Sequence, residues 1–254
     1  VTTQHSTATA LTGRTALVTG ATRGVGFAVA RKLCAGGADV LLDYAEDDSN
    51  AARAVGALAG LPGRATAVRA DVTADFDALC DEADRRFGHL DIFVHNASHF
   101  RPAPTLASTP EQVGRSLDVA LRPLLTGAAR LAGLMAGRPG RIVAVSSTGA
   151  HRVVPRYAGA GVAKAALESL VRYLAVELAG RGIAVNAVAA AKVDKGDGTI
   201  PAELARTIAE RTPGGRLTSP EDVADAVSLL CSDEAGWLQG QVVTVDGGLG
   251  LVAG

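Results

Sequence analysis

Tyr157, Lys164 seven residues later, and Ser147 ten residues before the tyrosine have the types and spacing to move a proton. A phenol can donate a proton or hold an oxyanion, a nearby ammonium favours that transfer by its charge, and a hydroxyl can donate to a substrate oxygen. On a helix turning about 100° per residue, a spacing of seven falls about 20° short of two turns. Tyr157 and Lys164 therefore share one face, separated by about 10.5 Å along the axis. Pro155 marks a helix start close to Tyr157. Lysine occurs at only four positions, 32, 164, 192 and 195, in a chain that otherwise uses arginine.

A second group, Gly20-Ala-Thr22-Arg23-Gly24-Val25-Gly26, follows a short β-branched run and precedes a helical pattern. Glycines in that setting let the backbone turn sharply and approach a pyrophosphate, while the helix start offers unpaired N–H groups and partial positive charge. The segment reads as a dinucleotide cradle. Arg23 could meet a 2′-phosphate, whereas the carboxylates in Asp43-Tyr-Ala-Glu46-Asp47-Asp48 would repel one. The balance leans to NADP(H) over NAD(H).

These groups need a scaffold, and the chain alternates short strand-like runs with helix-length segments. Strands are expected at 15–19, 38–42, 65–70, 90–95, 141–147, 183–188 and 241–245. Strands joined by helical crossovers form a mostly parallel sheet covered on both faces, the doubly wound Rossmann arrangement. No linker divides residues 1–254, so one domain is expected, with a tail at 1–12 and a lid at 189–216 that carries a short helix near 201–210.

Composition narrows the partners. Of the residues, 48% are hydrophobic and 25 Lys+Arg stand against 26 Asp+Glu, which excludes disorder and argues against a phosphate-gripping nucleic-acid binder. No apolar run reaches the roughly 18 residues of a membrane span. The polar beginning lacks a signal-peptide pattern, and Cys34, Cys80 and Cys231 are scattered, as expected of buried thiols in a cytoplasmic protein. No Cys/His pair has metal-ligand spacing.

The run Thr19-Gly20-x-x-x-Gly24-x-Gly26, with Asp71-Val72, His95-Asn96-Ala97-Ser98, Ser146-Ser147 and Val245-Asp-Gly-Gly248, resembles the short-chain dehydrogenase/reductase superfamily over almost the whole chain. The resemblance implies cofactor contacts at Asp71, Val72, Asn96 and Val193, a catalytic Ser147, and a Lys164 that holds the nicotinamide ribose. It also implies an oligomer, a dimer or tetramer. The usual Tyr-x3-Lys is missing, because position 160 is alanine. Tyr157 with Lys164 instead has the Tyr-x6-Lys spacing of the enoyl-acyl-carrier-protein reductase branch.

In conjugate reduction, hydride goes to the β carbon and charge collects on a thioester oxygen two atoms farther away, which a phenol displaced by one turn suits. The expected activity is NAD(P)H-dependent reduction of an enoyl thioester or related natural-product intermediate. The alternatives are a carbonyl reductase with an atypical site and a fold reused without redox chemistry. Asp118 falls where the superfamily has an active-site Asn, Ala189 to Ala191 replace the segment beside the nicotinamide, and Lys195 stands where a Thr often contacts it. His95, His99 and His151 are candidate substrate-pocket residues.

Overall fold

The computed structural model describes residues 11–196 and 198–252. Seven strands, β1 (Thr15–Val18), β2 (Asp39–Tyr44), β3 (Ala65–Arg69), β4 (Ile92–His95), β5 (Gly140–Ser147), β6 (Ile183–Ala190) and β7 (Val242–Val245), form one sheet in the order β3-β2-β1-β4-β5-β6-β7. Every pairing is parallel. The helices are α1 (Gly24–Ala35), α2 (Asp48–Ala57), α3 (Phe76–Phe87), α4 (Pro110–Leu134), α5 (Ala158–Ala179), α6 (Ala202–Arg211) and α7 (Pro220–Leu230).

Strand side chains alternate between faces, so neighbouring residues join different cores. Val18 packs with Val29 and Leu33 of α1 and Val227 of α7. Leu17 packs with Phe76 of α3, Leu124 of α4 and Leu167 of α5 on the opposite face. The residues of β1, β4 and β6 are buried throughout, as expected of strands covered on both sides. Chain order reverses between β1 and β4, and a crevice for ligand forms at the carboxyl ends of strands flanking such a switch.

The boundaries of the expected tail and lid both differ from the sequence reading. Leu11 is buried and its N–H donates to the Gly36 carbonyl at 2.9 Å, so residues 11 and 12 belong to the packed body. The rest of the expected tail, 1–10, lies outside the described residues. Ala189 and Ala190 are not lid but the buried end of β6, paired with Ser146 and Ser147 on one side and Thr244 and Val245 on the other. The irregular segment begins at Ala191, and its short helix is α6.

Candidate active site

The glycine segment lies between β1 and α1, as its sequence implies. A Cβ on Gly26 would stand 2.2 Å from the Gly20 carbonyl oxygen and 2.5 Å from Asn96 Nδ2, so only glycine lets the helix start this close to the turn. Asn96 fixes the turn from β4: its Nδ2 donates to the carbonyls of Thr19 and Gly20, both at 3.0 Å. Arg23 occupies the N-cap of α1 with extended backbone and makes no capping bond, which leaves the first-turn N–H groups unclaimed by a side chain. This cradle fits the diphosphate of a dinucleotide.

His95 does not enter a substrate pocket. It is fully buried, with Nε2 3.1 Å from the carbonyls of Val119 and Ala120 and Nδ1 3.2 Å from Thr19 Oγ1. Two carbonyls facing Nε2 require that nitrogen to carry the proton, so the Thr19 hydroxyl donates to Nδ1. The same hydroxyl oxygen accepts from the N–H groups of Asn96 and Ala97. Burial, reinforced by the Lys164 charge, pushes the imidazole down to about 4. A neutral His95 therefore ties β4, the glycine turn and α4 together.

Around the expected adenine end, Asp43 is buried, with Oδ2 accepting from Gly20 N–H at 3.2 Å and Oδ1 without a partner. Burial, with Asp71 nearby, pushes its carboxyl up to about 7, although the Gly20 bond opposes the rise. Asp71 is held by Thr73 and by Arg115 at 2.8 Å, and these bonds bring it down to about 2 despite partial burial. Val72 is buried beside it. Arg23 is exposed, and its charge reaches Asp47, which caps α2 through Asn50 N–H at 2.9 Å.

Tyr157 is the N-cap of α5: its carbonyl accepts from Gly161 N–H at 2.7 Å, while its own backbone, with φ -116° and ψ 7°, lies just outside the helix. Its ring lies over Gly149, where a Cβ would stand 2.7 Å away, and stacks obliquely on Phe100 with centroids 5.0 Å apart. Burial raises the phenol pKa, while a hydrogen bond with the Ser147 hydroxyl opposes that rise. The structure thus brings Ser147 and Tyr157 into contact. Lys164 is buried and donates from Nζ to the Val145 carbonyl at 2.6 Å, with no contact to the Tyr157 phenol. Desolvation lowers its ammonium to about 8, against the opposing charge of Glu168.

Ala160 is buried and carries no chemistry. Asp118 does not take the place of an active-site amide: it is half-exposed on α4 and pairs with Arg122 at 2.7 Å. The inward position is Ala120, two residues on, whose carbonyl serves His95. Val193 sits after β6 in an isolated bridge to Thr218. The side-chain carbons of Lys195 lie 3.6–3.7 Å from the site a Gly24 Cβ would occupy, over the glycine turn. His99 accepts at its carbonyl from Ser116, and His151 meets Glu168 on the inner face of α5. Nothing in the sequence alone singled out Glu168, a charged residue inside an apolar helix.

A cleft of about 770 Å³ opens between α7, β7 and the turn at 148–152, lined by Thr148, His151, Ala189 and Gly214 among others. Among the described residues no group of His, Cys, Asp and Glu is arranged to hold a metal. No helix among them is long and apolar enough to cross a membrane. All three cysteines are buried and free.

The fold and glycine cradle have close counterparts. The profile of enoyl-(acyl carrier protein) reductases matches residues 20–250. A 1-cyclohexenylcarbonyl-CoA reductase of Streptomyces collinus is 38% identical over 98% of this chain and 91% of its own. A 3beta-hydroxysteroid dehydrogenase of Eggerthella lenta is 37% identical, covering 96% of each chain. A short-chain dehydrogenase from Burkholderia cenocepacia in complex with NADP superposes with TM-score 0.87 at 32% identity, over 95% of this chain and 99% of that one. The Serratia marcescens short-chain dehydrogenase/reductase gives the same TM-score at 31% identity, over 94% and 99%. With cradle, sheet order and relatives agreeing over nearly its full length, this chain belongs to the short-chain dehydrogenase/reductase family and is an NAD(P)-dependent oxidoreductase.

Proposed function

We propose that the protein reduces the activated C=C bond of an enoyl thioester, with Tyr157 as the acid that meets the developing oxyanion. The glycine turn would hold a reduced nicotinamide dinucleotide, which when bound would supply the hydride. Gly20, Thr22, Gly24, Val25 and Gly26 would hold its diphosphate, and Asp71, Val72, Asn96 and Val193 would flank the rest. In this reading Ser147, beside the phenol, orients it, and Lys164 would hold the nicotinamide ribose. The observation that carries this reading is the contact between Ser147 and a phenol at position 157, with alanine at 160, so the acid stands one turn before the usual place. Burial keeps the phenol protonated at neutral pH and thus able to donate.

The relative acting on 1-cyclohexenylcarbonyl-CoA supports a conjugated thioester, and exposed Arg101 and Arg156 flank the Phe100–Tyr157 pair without an ion-pair partner among the described residues. Carbonyl reduction is the second reading, favoured by the hydroxysteroid dehydrogenase relative. For the cofactor we favour NADP(H), since Arg23 and Lys195 both stand at the cradle and can meet phosphate. Crotonyl-CoA and acetoacetyl-CoA, each with NADPH and NADH, separate the readings. Consumption of NADPH with crotonyl-CoA at ten times or more the rate with acetoacetyl-CoA is expected. The reverse order would assign the protein to carbonyl reduction.

A further inference from the structure

Arg156 stands immediately before Tyr157 with φ at 63°; it and Asp47 are the two non-glycine residues in the left-handed region among those described. An L side chain adopts that backbone at a cost that glycine does not incur, so the loop holds a strained position for a guanidinium. The Arg156 carbonyl accepts from Ala103 N–H at 3.2 Å, which ties it to the segment carrying Phe100 and Arg101. That segment is fixed in turn, with the Phe100 ring against Tyr157 and the His99 carbonyl 3.2 Å from the Ser116 hydroxyl of α4. Arg101 and Arg156 thus line one narrow crevice with Gln112, Ser116 and Ala160.

Both arginines are exposed, and neither side chain has a hydrogen bond or ion pair among the described residues. No Asp or Glu occurs in 92–110 or 119–167. Glu111, beside Gln112, is engaged by the Thr109 hydroxyl instead. Two unpaired guanidiniums on one crevice suit an anion, and phosphate above all, whose oxygens match their fork of N–H donors. We propose that Arg101 and Arg156 receive the phosphate of a pantetheine arm whose thioester lies at Tyr157. The inference rests on the enoyl-thioester reading for the class of its ligand and assigns the far end of that substrate. Reach agrees, since the arm runs about thirteen bonds from sulfur to phosphorus, about 15 Å when extended. A tyrosine and an arginine side chain laid end to end cover a similar span, and the Tyr157 ring turns to Gly149 while Arg156 turns to the crevice.

Crotonyl-pantetheine 4′-phosphate and crotonyl-pantetheine differ only in that phosphate, and their kcat/KM values with NADPH test the site. The wild-type protein is expected to favour the phosphorylated substrate at least ten-fold, and Arg101→Ala and Arg156→Asn are each expected to bring the ratio within three-fold. Asparagine tolerates the left-handed backbone, so Arg156→Asn removes the charge and keeps the loop. A Kd for NADPH within two-fold of wild type shows that each variant is folded. No preference in the wild type, or a ratio left unchanged by either variant, would overturn the site. Crotonyl-CoA distinguishes the sources of the phosphate. Losses equal to those with the 4′-phosphate place the contact on the group that coenzyme A shares with a carrier protein's arm, whereas a loss confined to crotonyl-CoA would assign the arginines to its nucleotide and overturn the proposal. If the wild type reduces none of these thioesters, the enoyl reading fails and the Kd for 4′-phosphopantetheine decides the site. Weakening of about ten-fold in each variant keeps it, and affinity within two-fold of wild type discards it.

Discussion

At the scale of single residues, the cations over the glycine turn decide how a phosphate is received. Arg23 shares its field with Asp47, and the Lys195 stem lies over Gly24. Arg23→Ala is expected to raise the Kd for NADPH about ten-fold while changing that for NADH two-fold or less, measured by fluorescence titration. Lys195→Ala is expected to weaken both by about five-fold, because a diphosphate is common to the two cofactors. Equal losses in Arg23→Ala would separate Arg23 from the 2′-phosphate. Tyr157 stands out as the candidate acid in the sequence because the missing tyrosine at 160 and the lysine at 164 leave one phenol at helical spacing. His95 was misread because a histidine at a strand's carboxyl end suggests a pocket, and only the facing carbonyls of Val119 and Ala120 reveal its structural work.

At the scale of elements, the joint between β2 and the glycine turn stores an electrostatic penalty. The folded Asp43 carboxyl is raised from 3.8 to about 7, chiefly by burial, so between those values the unfolded chain is ionised while the folded one holds its proton. Stability is therefore lost as pH rises from about 4 to about 7, by an amount on the order of 2–4 kcal/mol, and stays lost above that. Asp43→Asn retains an acceptor for Gly20 N–H and removes the titration. Its melting temperature, followed from pH 5 to pH 8, is expected to rise relative to wild type as pH increases; a pH-independent difference would contradict the assignment.

The seven strands were readable because a doubly covered parallel sheet demands β-branched runs between helical crossovers. The carboxyl end of β6 was not. Alanine carries little strand preference, and Ala189 and Ala190 are held in register by their neighbours Ser146, Ser147, Thr244 and Val245. Glu168 was equally hidden, since its partners come from β5 and from the turn after it, some twenty residues away in sequence.

At the scale of the whole molecule, the outer faces of α4 and α5 expose Leu125, Val162, Tyr173 and Val176, an apolar surface to which we assign the proposed role of pairing with a second copy. Sedimentation at micromolar concentration is expected to give at least two chains per particle, and a monomer there would leave that face without the proposed role. The sheet and its covering helices place the end of β5 beside the start of α5, where Ser147 neighbours Tyr157. The most direct test is therefore the turnover of Tyr157→Phe with crotonyl-CoA and NADPH, alongside its Kd for NADPH. The proposed role predicts a kcat lower by about two to four orders of magnitude and cofactor affinity within two-fold of wild type, as for loss of an acid or oxyanion donor. A kcat unchanged by removal of the phenol oxygen would contradict it.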